Sequence, residues 1–356
     1  MKLLTKYIFK NHTRLILMTL GIGVSLFILI DLIEKADIFM ASKKPMLYAL
    51  EYYVLKMPFI VSQILPSVFL LASVIFLAIM IAAREGIALQ AGGISMFTIT
   101  KVLVYVGIFW AILQFVLAQL VMPLAEQKAF NLWRYDVRER IMVEQKIDNL
   151  WFIDNGYIVQ VDEMTERGKG KNLTAYKLSS DAKEIEEIIR AKNVFVEDRV
   201  WKLENVVKYN PSQFETTKEN AFVLPVSQSI RFYFISTADE KPQSLSFFVL
   251  TEAIEKLKTS GSNIENLLTI WHSKITYAVM VIVFSVLAVA IISYKENIYL
   301  AVIMATVIAF ISYALNVLGI SLGQSGKLPP VFAAWFPCIL LFLLGYLRIY
   351  IGYSKR

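Results

Sequence analysis

The residue types that most often perform catalysis or bind metals are scarce in this chain. It has two histidines, His12 and His272, and a single cysteine, Cys338. Because the histidines stand far apart, no His/Cys metal cluster and no Ser–His–Asp arrangement is predicted. The P-loop pattern G-x-x-x-x-G-K-[ST] is absent, and the Gly-Lys-Gly-Lys at 168–171 lacks the strand-to-helix setting of a phosphate-binding loop. These observations argue against an enzyme and against ATP hydrolysis by this chain.

The remaining candidates for chemistry are lysines beside long apolar segments. Lys35, Lys43 and Lys44 fall in a loop predicted after the first apolar segment, and Lys274 opens the fourth. Lys56 is predicted to lie in the same loop. Ammonium groups at the mouth of a membrane cavity can bind the phosphate groups of an anionic lipid. Each lysine could equally be an interfacial anchor that extends its charged end toward water.

Six apolar segments must position these residues. Apolar residues make up 57% of the chain, and the first segment covers 15–30. The other five contain no Asp, Glu, Lys or Arg and cover 57–83, 102–125, 276–294, 298–326 and 328–347. Since about 20 apolar residues cross a bilayer core of about 30 Å, six transmembrane helices are predicted, three on each side of a polar stretch. The uncharged runs argue against ion coupling within this chain.

The basic residues are concentrated beside the apolar segments. The formal net charge is +7, yet residues 126–274 carry −2 and the remainder carries +9. This distribution argues against nucleic-acid binding. By the positive-inside rule it favours cytoplasmic N- and C-termini, with the large polar domain on the outer side.

The polar stretch has the pattern of a β domain. Residues 151–153 and 157–161 flank Asp154-Asn155-Gly156, a strong hairpin signal, and 167–172 is predicted to be a loop tip. Further short strands are predicted at 173–178, 194–196, 200–203, 206–209 and 222–226. Their spacing favours a sandwich or a jelly roll.

The predicted organisation therefore has three parts. Residues 1–125 form a membrane region with three spans, 126–246 form the β domain, and 247–356 form a connecting helix and three further spans. The connecting helix is predicted at 247–259, where apolar residues recur with helical spacing.

A short loop between the second and third spans is the remaining unusual segment. Residues 84–91 favour a helix that Gly92-Gly93 would end. A small helix with apolar residues on both faces is poorly suited to lie free in water. It either docks on a partner or only turns the chain between two spans.

With these motifs in view, the whole chain resembles the permeases of the lipopolysaccharide export ABC transporter, the LptF/LptG family. The resemblance rests on the layout of three spans, a β domain and three spans. It also rests on R-E-G-I-A-L-Q-A-G-G-I-S at 84–95, His272-Ser273-Lys274, and G-K-L-P-P-V-F-A-A-W-F-P at 326–337. The D-L-I-E at 31–34 and Gln90 look more like LptG than LptF. The chain departs from the family in lacking a proline shortly after Lys274.

The resemblance implies a non-catalytic permease in the inner membrane of a Gram-negative bacterium, with a periplasmic β-jelly-roll domain. It would pair with a homologous permease and a dimeric cytoplasmic ABC ATPase, which would bind ATP and Mg; no cofactor is expected in this chain. Lipopolysaccharide would pass to periplasmic β-jelly-roll bridge proteins. The alternative is a membrane-anchored periplasmic scaffold or adaptor without transport activity.

The resemblance also assigns roles to particular residues. Segment 84–95 corresponds to the family's coupling helix, which contacts the ATPase. Arg84 and Glu85 are expected to make polar contacts there, and Leu89, Ala91 and Gly92 are expected to pack closely. Gln90 is expected to belong to the same coupling surface. The residues expected to contact lipid headgroups are Lys35, Lys43, Lys44 and Lys274.

Overall fold

The chain forms two compact units. The computed structural model describes residues 2–92, 96–138, 146–165, 167–179, 184–197, 200–226, 245–259, 263–294 and 297–354. The membrane unit comprises Met1–Arg140, Ser244–Phe247 and Leu268–Arg356, and the β unit comprises Ile141–Gln243 and Phe248–Leu267. The predicted domain limits after residues 125 and 246 stay a prediction.

Among the described residues, six helices are long and apolar enough to cross a bilayer. They are Leu3–Met40, Pro45–Ala82, Thr98–Val137, Glu265–Ser293, Ile298–Gln324 and Pro330–Ile351. The predicted fold class, six transmembrane helices with a β domain inserted between the third and fourth, is confirmed.

The first two spans are longer than the sequence pattern indicated. Helix α1 covers Lys2–Met40 and α2 covers Pro45–Ala82, so only residues 41–44 connect them. The predicted loop that held Lys35 and Lys56 is therefore wrong, since both residues are helical. At 1.5 Å per residue, 39 residues extend about 58 Å, well beyond a hydrocarbon core of about 30 Å.

The third span is interrupted by wide turns. Helix α3 (Glu85–Ala91) precedes α4 (Met96–Val116), which continues through a π-helical turn into α5 (Met122–Asn131). A second π-helical turn covers Leu132–Val137. The first wide turn lies just before Pro123, which has no N–H to donate and whose ring crowds the carbonyl four residues earlier.

Four helices follow the β strands. They are α6 (Phe247–Thr259), α7 (Glu265–Tyr294), α8 (Ile298–Gln324) and α9 (Pro330–Ser354). Helix α6 has the limits predicted for the connecting helix. Asn297 caps α8, because its side-chain oxygen accepts hydrogen bonds from the backbone N–H groups of Tyr299 and Leu300.

A large apolar cluster in the core of the membrane unit has contributions from α1, α2, α4, α7, α8 and α9. Glycines allow some of these helices to approach closely. A Cβ atom added to Gly107 of α4 would lie 2.3 Å from the Ser285 hydroxyl of α7. One added to Gly319 of α8 would lie 2.4 Å from the Ala333 carbonyl of α9. Small residues are typical of such helix contacts in membranes.

Among the described residues of the β unit, six strands form an antiparallel sheet in which each strand pairs with the next. The strands are β1 (Lys146–Asp154), β2 (Tyr157–Thr165), β3 (Lys169–Leu178), β4 (Ile185–Glu197), β5 (Val200–Asn210) and β6 (Glu215–Leu224). The predicted hairpin is confirmed: Asp154 pairs with Tyr157, and Asn155 and Gly156 both have positive φ, as a type I′ turn requires.

A crease crosses the sheet from β1 to β6. Pairing is interrupted at one residue of each strand, and the register then resumes unchanged; the residues are Asn149, Asp162, Asn172, Lys192, Asn205 and Asn220. Those of β1, β3 and β5 have φ between 52° and 57°. The alternation of inward- and outward-facing residues shifts by one position at the crease, so that Ile147 and Leu150 are both buried on β1. Asparagine tolerates this left-handed conformation better than most residues.

The crease folds the sheet onto itself. Phe152 of β1 and Trp201 of β5 have ring centroids 5.0 Å apart, although three strands lie between β1 and β5. A flat sheet would separate them by about 19 Å, because neighbouring strands are about 4.8 Å apart. Asn155 also donates to the Pro225 carbonyl at 3.0 Å, which joins the β1–β2 turn to the end of β6. The described sheet therefore encloses its own core, and its closer assignment as a jelly roll stays a prediction.

Two details of the strand prediction are wrong. Most of the predicted loop tip at 167–172 belongs to β3. Within it, Gly170 packs closely on Met164: a Cβ atom added to Gly170 would lie 2.9 Å from the methyl carbon of Met164. The strands predicted at 200–203 and 206–209 form one strand, β5, with the crease at Asn205 between them. The sequence also predicts a tight turn at 197–199, of which residues 198 and 199 lie outside the described residues.

Candidate functional site

Helix α3 is held at a sharp corner beyond the end of α2. Arg84, which links the two helices, has a φ of 56°, and its N–H donates to the Ile81 carbonyl. Its own carbonyl accepts from Ala88 N–H at 3.1 Å and so begins the first turn of α3. The predicted helix after residue 84 is present. The side chain of Gln90 and residues 93–95, where the Gly93 stop was predicted, lie outside the described residues.

The two faces of α3 have different surroundings. Leu89 packs against the apolar core of the membrane unit. Among the residues of this segment whose exposure is described, Arg84, Ala88, Ala91 and Gly92 are exposed. Three of these four are small, so another helix or a groove can approach the α3 backbone closely. Leu89 is held within this chain, and the exposed face is the part available to a partner.

Glu85 at the start of α3 contacts the first span. The Tyr7 hydroxyl lies 3.0 Å from Glu85 Oε1 and 2.9 Å from Oε2, close enough to donate to the carboxylate. Both side chains lie at the protein surface. Sequence reasoning missed this contact, because the two residues are separated by 78 positions.

A group of charged and aromatic residues lies at the opposite end of the α1–α2 pair. We call it the lysine cluster, and it consists of Asp31 and Lys35 on α1 with Tyr52, Tyr53 and Lys56 on α2. Asp31 accepts from Lys35 at 2.7 Å, from Lys56 at 3.0 Å and from the Tyr53 hydroxyl at 2.9 Å. The ionic side chains are only 14–19% exposed.

Aromatic rings complete this arrangement. Lys35 Nζ lies 5.1 Å from the Tyr52 ring centroid and 5.2 Å from that of Trp133. Lys56 Nζ lies 5.1 Å from Tyr52. Beneath them is a second apolar cluster with Phe39 among its members. Because one carboxylate faces two ammonium groups, the lysine cluster retains one positive charge held against electron-rich ring faces. Such a site can bind an anion such as a phosphate group.

The structure separates the lysines that the sequence grouped together. Lys35 belongs to the lysine cluster, where Lys56, which was not among the candidates, is its neighbour. Lys43 and Lys44 are exposed in the turn between α1 and α2. Lys274 lies on α7, partly buried, and interacts electrostatically with Glu126 of α5.

A chain of aromatic residues surrounds the entry to α7. The Phe247 ring lies 5.7 Å from Phe115 and 4.8 Å from Trp271. Trp271 packs edge-on against His272, whose Nδ1 is 3.4 Å from the Trp335 indole nitrogen. The Phe247 N–H also donates to the buried Gln119 side chain at 3.0 Å. The first residue of α6 is therefore fixed to the third and fourth spans.

Comparison with known proteins identifies the family. The model described as "Lipopolysaccharide export system permease LptF/LptG" matches residues 6–351. No curated protein sequence matches the chain. The family model does not separate LptF from LptG, so the preference for LptG stays a prediction. Because the match includes all six spans, the β unit and α3, the chain belongs to the LptF/LptG family of lipopolysaccharide export system permeases.

Proposed function

We propose that this chain is the non-catalytic permease subunit of an ABC transporter that extracts lipopolysaccharide from the inner membrane and passes it to a periplasmic bridge. Family membership and the six spans make it a multi-pass inner-membrane protein of lipopolysaccharide export. The observation that carries the proposal is that α3 and the lysine cluster stand at opposite ends of the same two helices. Lys56 and Ala82, near the two ends of α2, are separated by about 39 Å of helix.

At the α3 end, the partner is a dimeric cytoplasmic ATPase that binds ATP and Mg. The exposed face of α3 fits a groove on that partner, as amphipathic helices commonly do. Arg84 would supply a charged contact, and the small residues Ala91 and Gly92 would allow close packing. Closure of the ATPase would then displace α3 together with the adjoining spans.

At the other end, the lysine cluster meets the anionic headgroup of the lipid. Lys35 and Lys56 are pre-positioned by Asp31, and the exposed Lys43 and Lys44 add positive charge at the same end of α1 and α2. The uncharged spans, with those of a homologous permease, would enclose the acyl chains. Lys274 would contact the lipid from the fourth span.

This assignment places the N- and C-termini in the cytoplasm and the β unit in the periplasm, as the positive-inside rule favours. The β unit would receive the lipid and continue into periplasmic β-jelly-roll bridge proteins. An exposed sheet edge can accept a strand from such a neighbour.

A charge reversal tests the ATPase end. Glu85→Lys should reduce co-purification of the ATPase and lipid extraction, while the spans stay folded. The matched control is Glu51→Lys, which makes the same change at an exposed position near the start of α2. If Glu85→Lys retained full co-purification and transport, the coupling role of α3 would be refuted. A wild-type chain that co-purified with no P-loop ATPase would favour the scaffold alternative.

A second experiment tests the lipid end. Photo-crosslinking to lipopolysaccharide at the outer mouth should weaken when Lys35, Lys43, Lys44 and Lys274 are replaced by alanine. The control variant replaces four exposed lysines of the β unit, namely Lys146, Lys171, Lys202 and Lys218. Unchanged crosslinking in the first variant would mean that these lysines only anchor the protein at the membrane interface.

A further inference from the structure

The contact between Tyr7 and Glu85 joins two elements that carry different parts of the proposed mechanism. Tyr7 lies in the second turn of α1, and Glu85 is the first residue of α3. Both carboxylate oxygens lie within hydrogen-bond distance of the same hydroxyl. Hydrogen bonds to ionised groups are roughly twice as strong as neutral ones.

This contact matters because little of the apolar window of α1 is buried within the chain. Only 6% of its apolar window is buried within the chain, compared with 67% for α2 and 78% for α7. Near Tyr7, Leu4 and Ile8 of α1 pack into the same core cluster as Leu89 of α3. Helix α3 is therefore joined to the beginning of α1 by the polar contact at Glu85, and through Leu89 it packs against the core cluster to which Leu4 and Ile8 also belong.

Helix α1 is continuous from this contact to the lysine cluster. It runs unbroken over Lys2–Met40, and Asp31 and Lys35 lie on the same helix as Tyr7. The 24 residues from Tyr7 to Asp31 extend about 36 Å. A displacement of α1 at Tyr7 therefore reaches the residues that hold the two lysines, since a helix transmits an axial shift as a rigid element.

We infer that Tyr7 is a positioning residue that links α3 to the first span, so that movement of α3 is transmitted along α1 to the lysine cluster. This inference rests on the proposed function, since it names a route between the two ends assigned there. It predicts that the link can be weakened without removing the charge of Glu85 or the exposed face of α3.

The test begins with the full-length chain alone in lipid nanodiscs. Spin labels are placed at Leu3→Cys on α1 and Ala88→Cys on α3, two exposed positions, in a Cys338→Ser background. In Tyr7→Phe the distance distribution between the labels should broaden or lengthen. Tyr105→Phe, a change at another exposed tyrosine of the membrane unit, is the matched control and should leave the distribution unchanged.

The second measurement uses the chain reconstituted with its ATPase. We expect lipopolysaccharide released per ATP hydrolysed to fall about threefold to tenfold in Tyr7→Phe, the shift that loss of one such hydrogen bond gives in a two-state equilibrium. The ratio is the informative quantity, because a purely structural defect would lower release and hydrolysis together.

The outcomes separate the inference from the proposed function. An unchanged label distance in Tyr7→Phe refutes the link itself. A changed distance with an unchanged release-to-hydrolysis ratio refutes transmission through α1. If the wild-type chain bound no ATPase, the proposed function would fail and transmission with it, while the label distances would still report whether Tyr7 holds α3.

Discussion

Replacing Asp31 by asparagine should lower the stability of the membrane unit without removing any lysine. Asp31 is 14% exposed and accepts from two ammonium groups and one phenol hydroxyl, at 2.7, 3.0 and 2.9 Å. Asparagine has nearly the same size, so packing around the side chain is retained while its charge is lost. Lys35 and Lys56 would then face each other with no carboxylate between them.

The magnitude follows from the burial of these groups. Breaking a fully buried ion pair costs about 3–5 kcal/mol, and an exposed pair contributes about 0–1 kcal/mol. These side chains are 14–19% exposed, and the amide oxygen of asparagine still accepts hydrogen bonds. We therefore expect the free energy of unfolding to fall by about 2 kcal/mol. For a unit of this size that corresponds to a fall in Tm of roughly 4–8 °C.

The assay is thermal unfolding of the detergent-purified chain, followed by tryptophan fluorescence. Asp37→Asn is the control, because Asp37 is exposed on the same helix and has no ion pair among the described residues. A Tm for Asp31→Asn equal to that of the control would show that the lysine cluster does not stabilise the α1–α2 pair.

Three further changes test the packing of each unit. Ser73→Ala removes the hydroxyl 2.8 Å from Nε2 of the buried His12. We therefore expect the free energy of unfolding to fall by about 1–3 kcal/mol in the same thermal unfolding assay, and an unchanged Tm would contradict this. Gly107→Ala puts a methyl carbon 2.3 Å from a hydroxyl of α7 and should cost about 1–3 kcal/mol, whereas Gly21→Ala, beside which the described atoms leave the space open, should be neutral or stabilising. Burial raises the pKa of the Tyr157 phenol above its ordinary 10.0. The contribution of this phenol to folding stability is therefore complete below pH 10.0 and is lost as the pH rises through the folded-state pKa. Circular dichroism of the β unit should show that Tyr157→Phe reduces this alkaline loss, and an identical pH profile would contradict it.

The membrane architecture could be predicted because composition alone determines it. Long uncharged apolar runs require membrane helices, and the polar stretch between them cannot cross a bilayer. The ends of these helices could not be predicted in the same way. Helix α2 begins at Pro45, well before the uncharged apolar run that starts at residue 57, so Lys56 was assigned to a loop although it lies within the helix beside Asp31.

The candidate site depends on contacts between residues distant in sequence. The helix after Arg84 was predictable from its local pattern, but its contact with Tyr7 was not, since no periodicity links positions 78 residues apart. The sheet crease was hidden for a different reason. Asparagines such as Asn205 are common in turns, and their alignment across strands is visible only once the register is known.

Mass spectrometry of the gently purified complex reports protein partners and retained lipid together, and so tests whether this chain is a lipopolysaccharide-exporting permease. We expect the wild-type chain to carry a homologous permease, two copies of a P-loop ATPase and lipopolysaccharide, and Glu85→Lys to lose the ATPase while Glu51→Lys keeps it. A wild-type chain found with neither ATPase nor lipopolysaccharide would contradict it.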